Sequence, residues 1–324
     1  MDRLVAMLRA AGDPTRLRLL LLLREAELTV SELIEIVGQS QPRVSRHLKL
    51  LGEAGLLERF KEGSWVFYRA AGRGMGASLG RTLAELSGGY PADLARLQHV
   101  RAQRAARAAA YFKANAAEWA RIRSHHAPEK DVEAAILTRL PPKIGSLLDI
   151  GTGTGRMLEL LAPRAERAIG IDVSPEMLAI ARDKLLSQKL TQAQVRLGDL
   201  YRLPFSDAGT RDNEAGFDAV LFHQVLHYLD DPGAAVTEAA RVMRAGGHLL
   251  IADFAPHELE FLREEYAHRR LGFSDKEVEG WLAAAGLTLA ATDTIAPPEG
   301  AGGGKLTVKV WLATRNAKNA KEAA

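Results

Sequence analysis

The chain has 324 residues, more than one typical domain, and its hydrophobic share of 47% and charged share of 26% are ordinary for a globular protein. Because it contains no cysteine, a disulfide framework, a thiolate metal site and a cysteine nucleophile are excluded. The net charge of +3 is uneven, since residues 1–72 carry +2, residues 73–130 carry +6 and residues 131–324 carry −5. This asymmetry suggests a polyanionic partner for the front of the chain only.

The sequence shows neither a membrane-spanning run nor a signal for export. The longest aliphatic run, Leu19–Leu23, lies between two arginines and is far too short to span a bilayer. The start, Met1–Arg3, lacks the pattern of a signal peptide. We therefore expect a cytoplasmic protein with no membrane partner.

Residues 1–72 are predicted to form a small domain of short helices followed by a hairpin. Asp13, followed by proline, favours the start of a helix whose apolar face extends to Leu28. Thr29, with Glu32 three residues later, predicts a capping box at the start of the next helix. Gly38 is a natural end for that helix.

A polar helix and a hairpin complete this domain. Residues 41–51 place Val44 and Leu48 on one helical face and basic or polar groups on the other. Leu56–Arg59 and Trp65–Arg69 alternate like two paired strands. This order is typical of an α+β winged helix-turn-helix that contacts bases in the major groove. A dimerisation domain with a merely solvated polar helix is the alternative.

The segments Asp13–Leu20, Ser45–Leu51 and Gly55–Leu57 resemble the ArsR/SmtB family of winged-helix repressors. The resemblance implies a homodimer on a palindromic operator in double-stranded DNA. It implies groove contacts from Ser40, Gln41, Arg43, Ser45, Arg46 and His47, and wing contacts from Arg59, Lys61 and Trp65. Arsenic sensors of the family carry two cysteines where this chain has Thr29 and Ser31, and hydroxyls are poor soft-metal ligands. We therefore expect no metal.

Residues 73–130 are predicted to form a helical linker and cap. Glycine-rich breaks at Gly72–Gly76 and Ser87–Pro91 delimit two helices, the second over Ala92–Arg123. Its apolar stripe includes Tyr111, Phe112 and Trp119. These aromatic side chains either pack in a dimer core or cap the cleft of the following domain.

Residues 131–315 alternate strand and helix, which predicts an α/β, Rossmann-like domain with a seven-stranded, mostly parallel sheet, before a tail at 316–324. The strand candidates are Ser146–Ile150, Ala168–Asp172, Gln194–Leu197, Phe217–Phe222, Gly247–Asp253, Thr288–Thr292 and Leu306–Thr314. Such sheets bind ligands at the carboxyl ends of their strands, where Asp149, Asp172 and Asp199 fall.

Two cofactor classes compete for the glycine loop at Gly151–Gly155. A dinucleotide site needs Gly-x-Gly-x-x-Gly, whereas these glycines are spaced by single residues. A carboxylate at Asp149 would also repel a diphosphate. S-adenosylmethionine has no phosphate and carries a sulfonium and an ammonium, so the pattern favours it.

The motifs at 148–155, 170–177, 198–200, 217–220 and 241–247 resemble class I S-adenosylmethionine-dependent methyltransferases. The resemblance implies contacts to the methionine moiety from Asp149, Gly151, Thr152, Gly153 and Gly155. It implies Asp172 on the ribose, Val173 and Met177 against the adenine, and Asp199 and Leu200 at the adenine edge. His223 would face the sulfonium.

Catalytic residues are not assigned by the sequence. His223, His227 and Tyr228 are candidates, and His257 and His268 are further possible bases, although a structural or merely exposed role is the commoner one for each histidine. Without cysteine or an Asn-Pro-Pro-Tyr motif, cytosine-C5, arsenite and the usual adenine-N6 methylation are unsupported. Residues His257–Phe273 are predicted to form a lid helix, and Ser206–Gly216 and Pro297–Gly304 to form loops.

Three functions fit these observations to different degrees. The first is a DNA-binding transcriptional regulator whose methyltransferase domain senses S-adenosylmethionine or S-adenosylhomocysteine. The second is an active methyltransferase with a small-molecule methyl acceptor, autoregulated through its front domain. The third, a nucleic-acid-modifying enzyme, is disfavoured by the acidic back half. The sequence favours the first and leaves methyl transfer open.

Overall fold

The computed structural model describes residues 2–62, 65–72, 74–116, 129–209, 216–297 and 306–316. Contacts divide the chain into two units, Met1–Arg107 and Ala108–Ala324. The finer division at 72, 130 and 315 stays a prediction. Trp119 and most of the two predicted loops lie outside the described residues.

The first unit contains short helices and a three-stranded antiparallel sheet of order β1-β3-β2. Its helices are α1 (Asp2–Ala11), α2 (Pro14–Glu25), α3 (Val30–Val37), α4 (Gln41–Glu53), α5 (Gly74–Ser87) and the first part of α6 (Pro91–Asn115). Its strands are β1 (Leu28–Thr29), β2 (Leu57–Glu62) and β3 (Trp65–Ala70).

Local capping sets the helix boundaries of this unit. The side chain of Asp13 accepts a hydrogen bond from the backbone N–H of Arg16 at the start of α2. Thr29 and Glu32 form the predicted capping box, and Gly38 ends α3 with a φ of 70°. Leu28 was wrongly expected on the helix, because it pairs with Tyr68 and belongs to β1.

The helix α4 is supported from behind by a buried core. Val44, Leu48 and Leu51 pack with apolar residues of α1, α2 and α3. The carboxylate of Asp93 on α6 accepts two hydrogen bonds from Arg18 on α2, at 2.5 and 2.6 Å. The first turns of α6 are thereby held on the helices that carry α4.

The second unit is built on a seven-stranded, mostly parallel sheet, as predicted, and the strand order is β6-β5-β4-β7-β8-β10-β9. In the described part of this sheet, β10 runs antiparallel to both of its neighbours, β8 and β9, and the other neighbouring strands pair in parallel. The strands are β4 (Ile144–Ile150), β5 (Ala165–Asp172), β6 (Ala193–Leu197), β7 (Phe217–His223), β8 (Met243–Phe254), β9 (Leu287–Ile295) and β10 (Val308–Arg315).

Apolar side chains cover both faces of this sheet. Leu147 and Leu221 belong to one buried cluster, whereas Leu148 and Val220 belong to the cluster on the other face. The helices that complete these layers are α7 (Glu129–Arg139), α8 (Arg156–Leu161), α9 (Pro175–Ser187), α10 (Pro232–Val242), α11 (Phe261–Glu265) and α12 (Asp275–Ala284). Both faces of the sheet are therefore buried, so a ligand can reach it at the carboxyl ends of its strands, the carboxyl edge of the sheet.

The predicted lid helix over His257–Phe273 is wrong, since only Phe261–Glu265 is helical. Ala267 adopts a φ of 57°, which a right-handed helix does not allow. The backbone N–H groups of Arg269 and Arg270 instead donate to the carbonyl of His227, at 2.8 and 2.9 Å. Long-range backbone pairing therefore replaces the helix.

The length and apolar character of the helices bear on whether one of them could span a membrane. Within the described residues, none combines the length and the apolar character that crossing a bilayer requires.

Candidate functional site

The glycine loop after β4 is shaped by backbone conformations that favour glycine. Gly151, Gly153 and Gly155 have φ values of 74°, 53° and 80°. The N–H groups of Gly151 and Thr152 donate to the carbonyl of Ile171 at the end of β5. A Cβ atom on Gly151 would lie 2.3 Å from Cγ2 of Val225, so the segment after β7 packs directly on the loop.

Two carboxylates flank this loop. Asp149 is 1% exposed, and its Oδ2 accepts a hydrogen bond of 2.6 Å from the hydroxyl of Thr152. Asp172 accepts from the N–H of Gly153 at 2.8 Å and from the N–H of Ser174 at 2.9 Å. Burial raises the pKa of Asp172 above its ordinary value, against the opposing effect of these hydrogen bonds. The loop and the two strand ends thus form one compact set of polar groups.

The other residues of the predicted cofactor site differ in exposure. Val173 is 52% exposed, whereas Met177 and Leu200 are buried. Asp199 is exposed and accepts a hydrogen bond of 2.9 Å from the N–H of Tyr201. The N–H of Gly198 donates to the carbonyl of Asp172, which brings this segment to the end of β5.

The catalytic candidates lie on β7 and on the turn that follows it. His223 is the last residue of β7 and is buried. His227 is buried in the turn Leu226–Tyr228, and its Nδ1 lies 2.7 Å from Oδ1 of Asp253. Burial raises the pKa of Tyr228 well above its ordinary value, so its phenol stays neutral and is no base at neutral pH. His223 and His227 therefore remain the candidate bases of this set.

Asp253 was not singled out from the sequence. It lies near the end of β8, as Asp149 and Asp172 lie at the ends of β4 and β5. An acid at the carboxyl end of a predicted strand was the signal that could have found it. Its pairing with His227, 26 positions away in the chain, is not visible in the sequence pattern.

Aromatic rings surround this turn. The ring of Phe112 lies 4.8 Å from that of Tyr228, and the ring of Tyr111 lies 6.3 Å from that of Tyr266. Burial, with a smaller contribution from Tyr266, raises the pKa of Tyr111 to about 12. Tyr111 and Phe112 thus pack at the carboxyl edge of the sheet, in agreement with the cap alternative.

A second candidate site, on the first unit, is the surface of α4 and the hairpin. Ser40, which directly precedes α4, and Gln41, Arg43, Ser45 and Arg46 on α4 are exposed. In the hairpin Arg59, Lys61 and Trp65 are exposed, and the Trp65 ring stacks on Phe67 at 6.0 Å.

His47 differs from the other predicted groove residues. It is half-buried, with Nδ1 3.9 Å from Oδ1 of Asp13 at the start of α2. Eight of the nine residues predicted to contact DNA are therefore exposed, and the side chain of His47 is partly buried.

The described residues offer no metal site. In the part of the chain that the structure describes, no three His, Asp or Glu side chains form a group that could hold an ion. The hydroxyl of Thr29 caps α3, and Ser31 is exposed.

Comparisons with known proteins match the two units separately. Residues 13–59 match the family described as bacterial regulatory protein, arsR family, and residues 148–251 match the family described as methyltransferase domain. Over 66 residues the chain is 48% identical to the arsenical resistance operon repressor of Escherichia coli, which covers 20% of this chain and 56% of that protein.

The second unit resembles methyltransferases in sequence and in fold. Over 184 residues the chain is 29% identical to a ubiquinone biosynthesis O-methyltransferase of Xylella fastidiosa, covering 51% of this chain and 72% of the relative. A solved chain from the complex of the Haloferax volcanii Trm112 methyltransferase activator with a candidate methyltransferase is 25% identical, with a TM-score of 0.51. It covers 63% of this chain and 97% of that one. Other curated relatives are matched over only 34% to 46% of their own length.

Proposed function

Since the chain joins an ArsR-family regulatory domain to a methyltransferase domain, as both resemblances predicted, we propose a ligand-responsive transcriptional regulator. It binds operator DNA through its first domain, and its methyltransferase domain binds S-adenosylmethionine or S-adenosylhomocysteine as a sensed ligand. Ligand binding shifts the protein between states of different DNA affinity. In this proposal the working form is a cytoplasmic homodimer on a palindromic site.

The ligand assignment rests mainly on the carboxylates and the glycines around the loop after β4. Asp149 and Asp172 bring two carboxylates to it, and three positive-φ glycines let a ligand approach the backbone closely. Two carboxylates are poor partners for a diphosphate and good partners for a ligand with an ammonium, a sulfonium and a ribose diol. The residues present therefore fit an S-adenosyl ligand better than a dinucleotide.

Each part of the ligand has residues that would hold it. Asp172 would accept hydrogen bonds from the ribose hydroxyls, and Asp149 would bind near the ammonium. Val173, Met177 and Leu200 would contact the adenine, with Asp199 at its edge, and His223 would face the sulfonium. When bound, S-adenosylmethionine supplies an electrophilic methyl group that S-adenosylhomocysteine lacks.

The DNA-binding half of the proposal rests on exposed groups of α4 and the hairpin. Arg43 and Arg46 are long, charged donors on the open side of a helix that the buried core supports. Such side chains pair with guanine edges in the major groove, and each good pair contributes about 1–3 kcal/mol of discrimination. Arg59 and Lys61 would bind phosphates from the hairpin.

Two variants with matched controls test the two binding activities separately. Asp172→Ala is expected to abolish cofactor binding in calorimetry and to leave operator binding intact, because Asp172 lies in the second unit. The control Asp183→Ala removes an exposed carboxylate from the same domain. Arg46→Ala is expected to do the reverse, with Arg182→Ala, an exposed arginine of the second unit, as its control.

Each of the two binding sites has an outcome that would contradict its assignment. Undiminished cofactor affinity in Asp172→Ala would remove the ligand site from this loop. Unchanged affinity of Arg46→Ala for a fragment selected from a random-sequence DNA library would remove α4 from the DNA interface.

A second candidate function is an active methyltransferase that also regulates its own expression. The observation that favours it is the buried His227–Asp253 pair at the carboxyl edge of the sheet. A relative is named an O-methyltransferase, so oxygen acceptors belong in the first screen. Formation of S-adenosylhomocysteine with a small acceptor would support this function. The net charge of −5 over residues 131–324 disfavours duplex DNA as the acceptor.

A further inference from the structure

His227 has an imidazole nitrogen for which the described fold supplies no partner. The side chain is almost completely buried, and Nδ1 lies 2.7 Å from Oδ1 of Asp253. Within the described residues, the buried Nε2 has no hydrogen-bond partner. A buried polar group left unpaired is destabilising, so an atom of this kind calls for a functional explanation.

Asp253 determines which nitrogen of His227 carries the proton. Its Oδ2 accepts a hydrogen bond of 3.0 Å from the N–H of Leu226, and its Oδ1 accepts one of 2.8 Å from the N–H of Phe254. A carboxylate that carries no proton can only accept hydrogen bonds. Nδ1 of His227 is therefore the donor, and Nε2 keeps the lone pair that can accept a proton.

The turn that carries His227 adjoins the glycine loop. Val225 lies two positions before His227, and its Cγ2 would be 2.3 Å from a Cβ atom on Gly151. The N–H of Gln224 donates to the carbonyl of Ala252, which places the start of this segment beside the end of β8. The imidazole thus belongs to the same edge of the sheet as the proposed cofactor loop.

The rings around His227 define the kind of molecule that fits there. Tyr228, Phe254 and His268 have ring centroids 4.1, 4.9 and 4.2 Å from that of His227. Among the described residues, Asp253, Tyr228 and His268 are titratable groups in contact with it. Aromatic surfaces pack on a planar ring and exclude water, whereas they offer few partners to a sugar or a charged amine.

We propose that His227, oriented by Asp253, is the general base for methyl transfer to an aromatic hydroxyl compound. The inference rests on the proposed binding of S-adenosylmethionine to the adjacent loop. It deepens the second candidate function, because a base is needed where the acceptor must lose a proton. Since Nε2 is sealed from solvent, the acceptor reaches it by displacing one of the rings that cover it.

The step balances in atoms and charge. The phenolic proton passes to Nε2 of His227, and an oxygen lone pair forms the new bond to the methyl carbon. The bond between methyl carbon and sulfur breaks with its electron pair remaining on sulfur, which turns the sulfonium into the thioether of S-adenosylhomocysteine. The imidazolium, stabilised by the carboxylate of Asp253, then releases its proton to solvent.

The first test measures methyl transfer to catechol by the full chain. His227→Gln is expected to lower the rate by about 100-fold or more while its affinity for S-adenosylmethionine changes by less than about twofold. Asp253→Asn is expected to lower the rate similarly, because an amide N–H donated to Nδ1 moves the proton to Nε2. His248→Gln, a substitution elsewhere on β8, is the control and should retain the wild-type rate.

The second test needs no cofactor and uses 4-nitrophenol, whose anion absorbs at longer wavelength than the neutral phenol. Binding to the wild-type protein at a pH below the phenol's own pKa is expected to increase the anion absorbance, and binding to His227→Gln is not. His227→Asn serves as a second variant if His227→Gln does not fold. The same absorbance in wild type and variants would overturn the role of His227.

The outcomes separate this inference from the proposed function. Binding of S-adenosylmethionine without turnover of catechol or 4-nitrophenol would overturn the inference and leave the regulator intact. Full activity of His227→Gln would overturn it as well. Failure of the wild-type protein to bind either S-adenosyl ligand would overturn both.

Discussion

At the residue scale, Gly151 shows how one position combines backbone freedom with close packing. Its φ of 74° strains any other L residue, and a Cβ atom there would lie 2.3 Å from Val225. Because Val225 belongs to the segment that leads to His227, a side chain at Gly151 would displace both the loop and that segment.

We expect Gly151→Ala to weaken binding of S-adenosylhomocysteine by about tenfold or more, which corresponds to about 1.4 kcal/mol. Calorimetric titration measures it. The matched control is Gly246→Ala, because Gly246 has a φ of 72° and a Cβ atom there would meet nothing within 4 Å. The control tests backbone strain alone, at about 1–2 kcal/mol of folding free energy. Equal ligand affinities for both variants would contradict the role given to the contact with Val225.

Single residues differ in how far the sequence predicts them. Asp149 and Asp172 could be predicted, since each ends an apolar strand and adjoins a turn that is local in the chain. The pairing of His227 with Asp253 depends on the parallel register of β7 and β8, in which His223 lies beside Ala252. Register between separate strands leaves no local signal, so this pair was visible only in the structure.

At the scale of elements, the N-cap of α2 connects a local hydrogen bond to the position of α4. Asp13 accepts the N–H of Arg16 at 3.0 Å, and this bond is the main cause that lowers the pKa of Asp13. His47 of α4 lies 3.9 Å from the same carboxylate. The carboxylate of Asp13 therefore caps α2 and also lies close to α4.

We expect Asp13→Ala to lower the free energy of unfolding by about 1 kcal/mol at neutral pH, whereas Asp13→Asn, which keeps a capping oxygen, changes it little. Because the pKa of Asp13 is lower in the folded state, the contribution of its charge is present above the unfolded value of about 4. It is lost as the pH falls through the folded value. Urea unfolding of the three proteins at several pH values measures this. A wild-type advantage over Asp13→Asn that grows on acidification would contradict it.

Elements with a strong internal pattern were predicted well, and those that depend on distant partners were not. All seven strands of the large sheet were located, because each is an apolar or an alternating run bounded by turn or helix signals. The two-residue strand β1 exists only through pairing with β3, and the predicted lid helix is replaced by backbone bonds to His227. Neither interaction has a period that sequence analysis detects.

At the scale of the whole molecule, the proposal assigns DNA binding and the binding of an S-adenosyl ligand to separate domains of one chain. The distribution of charge along the sequence agrees with this assignment. Acidic residues are in excess only in residues 131–324, the part that contains the methyltransferase domain. The proposed regulation requires that ligand binding and DNA binding change each other's free energy, and this coupling must be reciprocal.

The central claim is tested most directly by operator affinity with and without saturating S-adenosylhomocysteine and S-adenosylmethionine. The probe is a DNA fragment that the wild-type protein selects from a random-sequence library. We predict that at least one ligand changes the dissociation constant of the wild-type protein by about fivefold or more, the low end of allosteric couplings. Asp172→Ala should show no change. The account would be contradicted if the wild-type protein had the same DNA affinity without ligand, with S-adenosylhomocysteine and with S-adenosylmethionine, while calorimetry confirmed that both ligands bind.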